Sequence, residues 1–223
     1  MRFKRYAIYH LPIGDFHELG SAWLGWNNRL GTHCVPTLGQ DRIVERPKKY
    51  GFHATIKAPF RIADGCSERD LIDAFDTFCQ STAPVTTGAC DLRRIGRFLA
   101  ITPTDPLSDL NDLAARSVKY FDAFRAPLGQ DDIDRRRKSR LTPDQDALML
   151  RWGYPFIFEH FKYHLTLTGP VPAEQIDTLE NSARNVFHRF LKGAYGINTL
   201  SLMGEDIDGY FHEVQTTHLA QTA

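Results

Sequence analysis

Two ten-residue segments that resemble each other sit half a chain apart, and no other feature of the sequence limits the fold as much. Tyr50-Gly51-Phe52-His53-Ala54-Thr55-Ile56-Lys57-Ala58-Pro59 lies over Phe161-Lys162-Tyr163-His164-Leu165-Thr166-Leu167-Thr168-Gly169-Pro170, with His, Thr and Pro in common and aromatics in the first and third places. The two histidines are 111 residues apart in a chain of 223. Each segment reads as a strand and is followed, after a turn, by a stretch of helical period. A repeat at that distance marks an internal duplication, with two similar lobes in one domain. Side chains alternate along a strand, so His53, Thr55 and Lys57 are expected on one face and Phe52, Ala54, Ile56 and Ala58 on the other. His164, Thr166 and Thr168 likewise share a face, opposite Tyr163, Leu165, Leu167 and Gly169. A pseudo-twofold axis between the lobes would set the two polar faces against each other across a cleft.

The rest of the chain supplies strands and helices in alternation. Strand chemistry is expected at residues 3–10, at 92–102 with a break near Gly96, at 156–168, and in a hairpin of 199–203 and 210–217 that turns over Asp206-Ile207-Asp208-Gly209. Helical spacing marks residues 15–28 with Asp15 as N-cap, residues 67–79 opening on the capping-box string Ser67-Glu68-Arg69-Asp70, residues 106–124 and residues 172–192. Residues 31–49 read as a loop, and residues 130–146 as a polar, irregular insertion or flap. The expected architecture is a single bilobal α+β domain over residues 1–223. Two antiparallel sheets line its central cleft and helices lie outside. With 42% hydrophobic and 24% charged residues, a chain of this size can bury a full core without staples.

Composition removes several function classes. Lys and Arg total 27 and so do Asp and Glu, which argues against coating long nucleic acid through bulk charge but leaves room for a local basic cleft. Cys34, Cys66, Cys79 and Cys90 form no CxxC pair, so a zinc knuckle or dithiol redox site is not expected. The apolar run near the first residues is too short for a secretory signal, and no stretch is long and apolar enough to span a bilayer. A cytoplasmic chain with reduced thiols is the expectation.

The paired polar faces suit phosphodiester cleavage. One imidazole removes a proton from attacking water while the other protonates the departing oxygen, and an unperturbed His pKa of about 6.5 lets one ring be neutral and the other charged. The hydroxyls of Thr55 and Thr166 can donate to the non-bridging oxygens as charge develops. Nine His and 25 Ser and Thr in 223 residues make one chance His-x-Ser/Thr match ordinary. The aromatic lead-in, the apolar alternate face, the trailing Pro and the half-chain separation together carry the weight.

His53-Ala54-Thr55 and His164-Leu165-Thr166 resemble the signature of the 2H phosphoesterases, named for two His-x-Thr/Ser motifs. The longer string from Tyr50 to Phe60 resembles the branch encoded beside phosphonate-utilisation genes. So do Arg151-Trp152-Gly153-Tyr154-Pro155-Phe156, Ser21-Ala22-Trp23-Leu24-Gly25 and Phe124-Arg125-Ala126-Pro127-Leu128. The resemblance implies a bilobal α+β fold around a cleft and cofactor-free, metal-independent hydrolysis of a cyclic or related small phosphodiester. His53 and His164 would be the acid/base pair, and Thr55 and Thr166 the phosphate binders. A nucleotide-like ester or a small ribose cyclic phosphate is the implied substrate class, by analogy.

Other residues carry alternatives. Lys57 and Thr168 extend the two polar faces and can meet phosphate oxygens, or be a solvated lysine and a strand-forming threonine. His160 and His164 have the spacing of two metal ligands on a helical turn, but in a strand four residues span about 13 Å, too far for one ion. The run Arg135-Arg136-Arg137-Lys138-Ser139-Arg140 is flanked by Asp131, Asp132 and Asp134, and reads as a solvated segment or as a flap that draws in an anion. Trp152, Tyr154 and Phe156 can stack on a base or enter the core, and Tyr6 is a candidate cleft wall. The rival function is a non-catalytic module that grips a nucleotide or RNA end in the same cleft.

Overall fold

The aromatic and branched residues near the amino-terminal end form β1 (Arg5–His10) in the computed structural model, which describes residues 3–35 and 41–220. Helix α1 (Asp15–Leu24) follows. Its N-cap is Gly14 rather than Asp15, whose carboxylate sits in the first turn, and it stops at Gly25, where φ is 84° and the N–H returns to the Ser21 carbonyl. The helix is therefore shorter than expected, and Trp26 and Asn27 leave it to form β2 (Trp26–Asn27), paired with β3 (Thr32–His33). The stretch expected as loop contains α2 (Asp41–Tyr50), while residues 36–40 of that stretch lie outside the described residues. Next come β4 (Ala54–Phe60) and α3 (Glu68–Gln80), the latter opened by the expected capping box between Ser67 and Asp70. Strands β5 (Val85–Ile95) and β6 (Phe98–Pro103) form a hairpin around Gly96, whose φ of 59° suits a residue without Cβ.

Helix α4 (Ser108–Tyr120) precedes the insertion, which is not irregular but holds α5 (Gln130–Arg137) and α6 (Pro143–Trp152). Apolar periodicity missed α5 because it buries no residue. Its support is electrostatic, with Asp131 and Asp132 in the first turn, Arg135 to Arg137 in the last, and an Arg135–Asp132 pair. Helix α6 starts on a second capping box, between Thr142 and Gln145, with Pro143 at its first position. The strand expected over residues 156–168 shrinks to β7 (Leu165–Thr166), preceded by a 3-10 turn at Phe158–His160. Helix α7 (Ile176–Phe187), β8 (Ala194–Ile197) and the expected hairpin of β9 (Thr199–Glu205) and β10 (Phe211–His218) complete the described chain.

The fold is α+β. Eight strands run in the order β10-β9-β1-β4-β7-β6-β5-β8, and every pair is antiparallel. The expected two sheets are the two four-stranded halves of this order, which meet at one register pair between the motif strands, Ala54 opposite Leu165. The halves are not the two halves of the sequence: β9 and β10, which follow the second motif, complete the half that holds the first motif. One face of the sheet carries the main core, where Ile8, Phe52, Ile101 and Leu165 pack with Phe16 and Trp23 of α1, Phe75 of α3, Leu113 of α4 and Phe187 of α7. The opposite face carries a small cluster of Ala7, Tyr9, Leu11, Met203 and Phe211, and beside it the His-x-Thr residues.

Candidate active site

The register of the motif strands sets the geometry. Ala54 lies opposite Leu165 in an antiparallel pair, and continuing that register by one residue in each direction sets His53 opposite Thr166 and Thr55 opposite His164. Directly opposed residues on one face stand about 4.5–5.5 Å apart between Cβ atoms, so the four side chains form a two-by-two array with the imidazoles at opposite corners. The neighbours Ala54 and Leu165 point the other way, into the core, at 0% and 1% exposure. Small Ala100 on β6 pairs with Thr166 and adds no bulk on that face.

Both imidazoles are oriented in the same way. His53 Nδ1 donates to the Gly51 carbonyl at 2.8 Å and His164 Nδ1 donates to the Lys162 carbonyl at 2.7 Å, each two residues upstream. A carbonyl only accepts, so each Nδ1 carries a proton, and Nε2 is the atom left to gain or lose one. His53 Nε2 also meets the Thr55 hydroxyl at 3.2 Å. Gly51 does two jobs here. Its φ of 72° ends α2, and a Cβ at this position would lie 2.5 Å from the Asn28 side chain. Asn28 in turn donates to the Tyr50 carbonyl, which fixes the chain just ahead of the first motif.

The environments of the two rings differ. His53 is 9% exposed, stacked on Tyr9 with ring centres 3.8 Å apart, and Tyr50 lies beyond at 6.1 Å. Burial, reinforced by the nearby His164, lowers its pKa to about 4, against a smaller upward pull from the Gly51 carbonyl. His164 is half-buried near Phe98, and burial lowers its pKa as well. Tyr9 is fully buried and its hydroxyl has no hydrogen-bond partner among the described residues.

Thr55 and Thr166 stand with the histidines and are half-buried. Lys57 and Thr168 are placed elsewhere. Two irregularities interrupt the β1–β4 register, which passes from Tyr9 opposite Thr55 to Ile8 opposite Lys57. The extra residue breaks the alternation that would have kept Lys57 beside Thr55. Lys57 is 3% exposed, its ammonium donates to the Val118 carbonyl of α4, and burial lowers its pKa to about 8. Thr168 is 1% exposed and its hydroxyl accepts from the Leu99 N–H at 2.9 Å, within the sheet rather than at the pair. Tyr6, expected as a wall, packs in the core and donates to Glu68. The aromatic wall is Tyr9, on the alternate face of β1, together with Tyr50. Alternation along residues 3–10 carried that signal, but only the β1–β4 pairing shows which face turns toward the histidines.

Among the described residues, Asp144, Glu159 and His160 bring possible metal-ligand atoms within 4.8 Å of one another at the surface, with His160 and Asp144 bonded at 2.6 Å. That group does not include His164. No helix among the described residues is long and apolar enough to cross a membrane.

Comparison with known proteins places the chain. In an alignment of 218 positions that covers 92% of the chain, it is 32% identical to a protein of Janthinobacterium sp. (strain Marseille) named ribose 1,5-bisphosphate phosphokinase PhnN. In an alignment of 200 positions that covers 82% of the chain, it is 33% identical to the protein of the same name from Laribacter hongkongensis (strain HLHK9). The chain spans about half the length of these relatives, 48% and 44%. Among solved structures it is similar to E. coli LigT complexed with NADP+ (TM-score 0.46, 11% identity) and with 3'-AMP (TM-score 0.46, 12% identity), in each case over 99% of this chain and 100% of the other. Residues 55–212 match the family model described as Protein of unknown function (DUF1045), and the chain belongs to that family.

Proposed function

We propose that the chain is a 2H-type phosphodiesterase that hydrolyses a small cyclic or related phosphodiester, with His53 and His164 as the acid/base pair and Thr55 and Thr166 as the phosphate binders. The observation that carries this reading is the two-by-two array: two imidazoles, each with Nδ1 tied to a carbonyl two residues upstream, and two hydroxyls at the remaining corners. A phosphorus atom seated over the array has an Nε2 on either side and a hydroxyl for each non-bridging oxygen. His53, the more deeply buried ring, is held neutral and serves as the base toward water. His164, half-buried and so nearer to solvent, serves as the acid toward the leaving oxygen. Both proton transfers are thus supplied by side chains, and the threonines donate to the charge that develops on phosphorus oxygens.

The relatives named as ribose 1,5-bisphosphate phosphokinases act, by that name, on a phosphorylated ribose, which supports a sugar-phosphate ester as the substrate class and a place in phosphonate breakdown. The test is a turnover assay of the purified chain in EDTA against 2′,3′-cyclic nucleotides and ribose cyclic phosphate. His53→Ala and His164→Ala should each lower kcat by about 10²–10⁴-fold while product binding persists. Unchanged turnover in both variants, or loss of all activity in EDTA that zinc or magnesium restores, overturns the reading.

A further inference from the structure

A cavity opens at the far end of β4 from His53, with Arg5, Lys57, Arg125, Arg136 and Tyr154 in its walls. Most of its charges are already balanced. Arg5 holds Glu205, Arg125 holds Asp122, and Arg61 at the rim lies 3.5 Å from Asp132. Two cations have no carboxylate within ion-pair distance among the described residues. Lys57 donates only to the Val118 carbonyl, and Arg136 has a buried Nε without a partner, its guanidinium 5.3 Å above the Tyr154 ring. Neighbouring cations in the basic run do not share this state: Arg135 pairs with Asp132 and Arg137 with Asp146, both outward on α5. The run is therefore split, and only Arg136 turns into the cavity.

Asp122 acts on Lys57 and Asp132 on Arg136 only from beyond ion-pair distance, so both cations keep donors open to an anion in a partly closed space, where a charge without a close partner is costly. A phosphate monoester fits what is offered, with a planar guanidinium and an ammonium as donors. The cavity also lies within reach of the array. Lys57 is two residues along β4 from Thr55 and four from His53, a span of about 6–13 Å at strand rise, and Tyr154 is an electrostatic neighbour of Tyr50 and of Tyr9, the ring stacked on His53. We infer that this cavity is a second anion subsite, and that the substrate carries a phosphate monoester besides the diester that is cleaved. This inference rests on the hydrolytic reading for its second half only; the binding of phosphate in the cavity stands by itself.

Two measurements separate the halves. Inorganic phosphate is titrated by calorimetry into the wild-type chain, the His53→Ala/His164→Ala double variant and Arg136→Gln, with thermal unfolding to confirm that each is folded. Phosphate should bind the wild-type and the double histidine variant alike, and about 10-fold more weakly or not at all to Arg136→Gln. Binding that disappears in the histidine variant and persists in Arg136→Gln places the anion at the array and overturns the subsite. Turnover is then compared between adenosine 2′,3′-cyclic phosphate and the same ester bearing a 5′-phosphate. The doubly phosphorylated ester should have a kcat/KM about 10-fold higher, and Arg136→Gln should bring the ratio close to one. Equal turnover of both esters by the wild-type chain overturns the assignment of substrate class. Arg136-dependent phosphate binding with no turnover of either ester upholds the subsite and overturns the hydrolytic reading instead.

Discussion

At the scale of single residues, the histidines couple the site to stability. His10 is buried with its Nδ1 at 2.6 Å from the Tyr163 hydroxyl, and burial lowers its pKa to about 3, while His53 falls to about 4. Above about pH 6.5 both folded and unfolded chains hold these rings neutral. Below that value the unfolded chain takes up protons that the folded one refuses, so stability falls with pH until the folded values are reached. For His10, with its folded pKa of about 3, the loss at pH 5 is about 2 kcal/mol. Thermal unfolding at pH 7, 6 and 5 should show a falling Tm, and a flat profile would contradict the burial of these rings. Tyr9 gives a second expectation. Its hydroxyl is buried and unpartnered while its ring supports His53. Removing only the oxygen relieves a desolvation cost, so Tyr9→Phe should be neutral or stabilising by up to about 1 kcal/mol in urea unfolding, with turnover retained. Marked destabilisation would mean that the hydroxyl has a partner.

At the scale of elements, α1 controls the placement of the first motif. Gly20 has no side chain because the Phe52 ring occupies that space: a Cβ would lie 2.1 Å from it. Phe52 precedes His53, so pressure at this contact is passed directly to the imidazole. Ala has the better helix propensity by about 1 kcal/mol, yet overpacking costs about 1–3 kcal/mol. Gly20→Ala should therefore lower the midpoint of urea unfolding and reduce turnover together. A gain in stability would show that α1 can shift freely on β4. The elements also show where sequence periodicity has power. The capping box at Ser67, the break at Gly96 and the terminal hairpin were legible because local hydrogen bonds and turn geometry specify them. Helix α5 was not, since it has no apolar stripe, and the second motif strand is far shorter than its alternating composition implies, with register pairs at Leu165 and Thr166 and one further backbone bond from Leu167 to Leu99.

At the scale of the whole molecule, two four-stranded halves meet through one register pair, which would be a weak joint were it the only link. The chain itself crosses between them: β5 leaves the first motif for the second half, and β9 and β10 return to the first. The main core also draws residues from both halves, with Ile8 and Phe52 beside Ile101, Leu165 and Phe187. We expect a single cooperative unfolding transition, with far-UV and near-UV circular dichroism coincident in urea; two separated transitions would show that the halves are independent. The paired His-x-Thr motifs, the spacing that puts each Thr two residues after its His, and the α+β class were all readable from local pattern, because strand alternation and apolar patterning are local properties. Only the tertiary structure decided that the two motifs pair edge to edge, that a bulge turns Lys57 toward α4, that Thr168 serves the backbone, and that Arg136 alone of its run enters a cavity. Those outcomes depend on register and on contacts between residues distant in sequence, where one inserted residue in a ladder redirects every side chain beyond it.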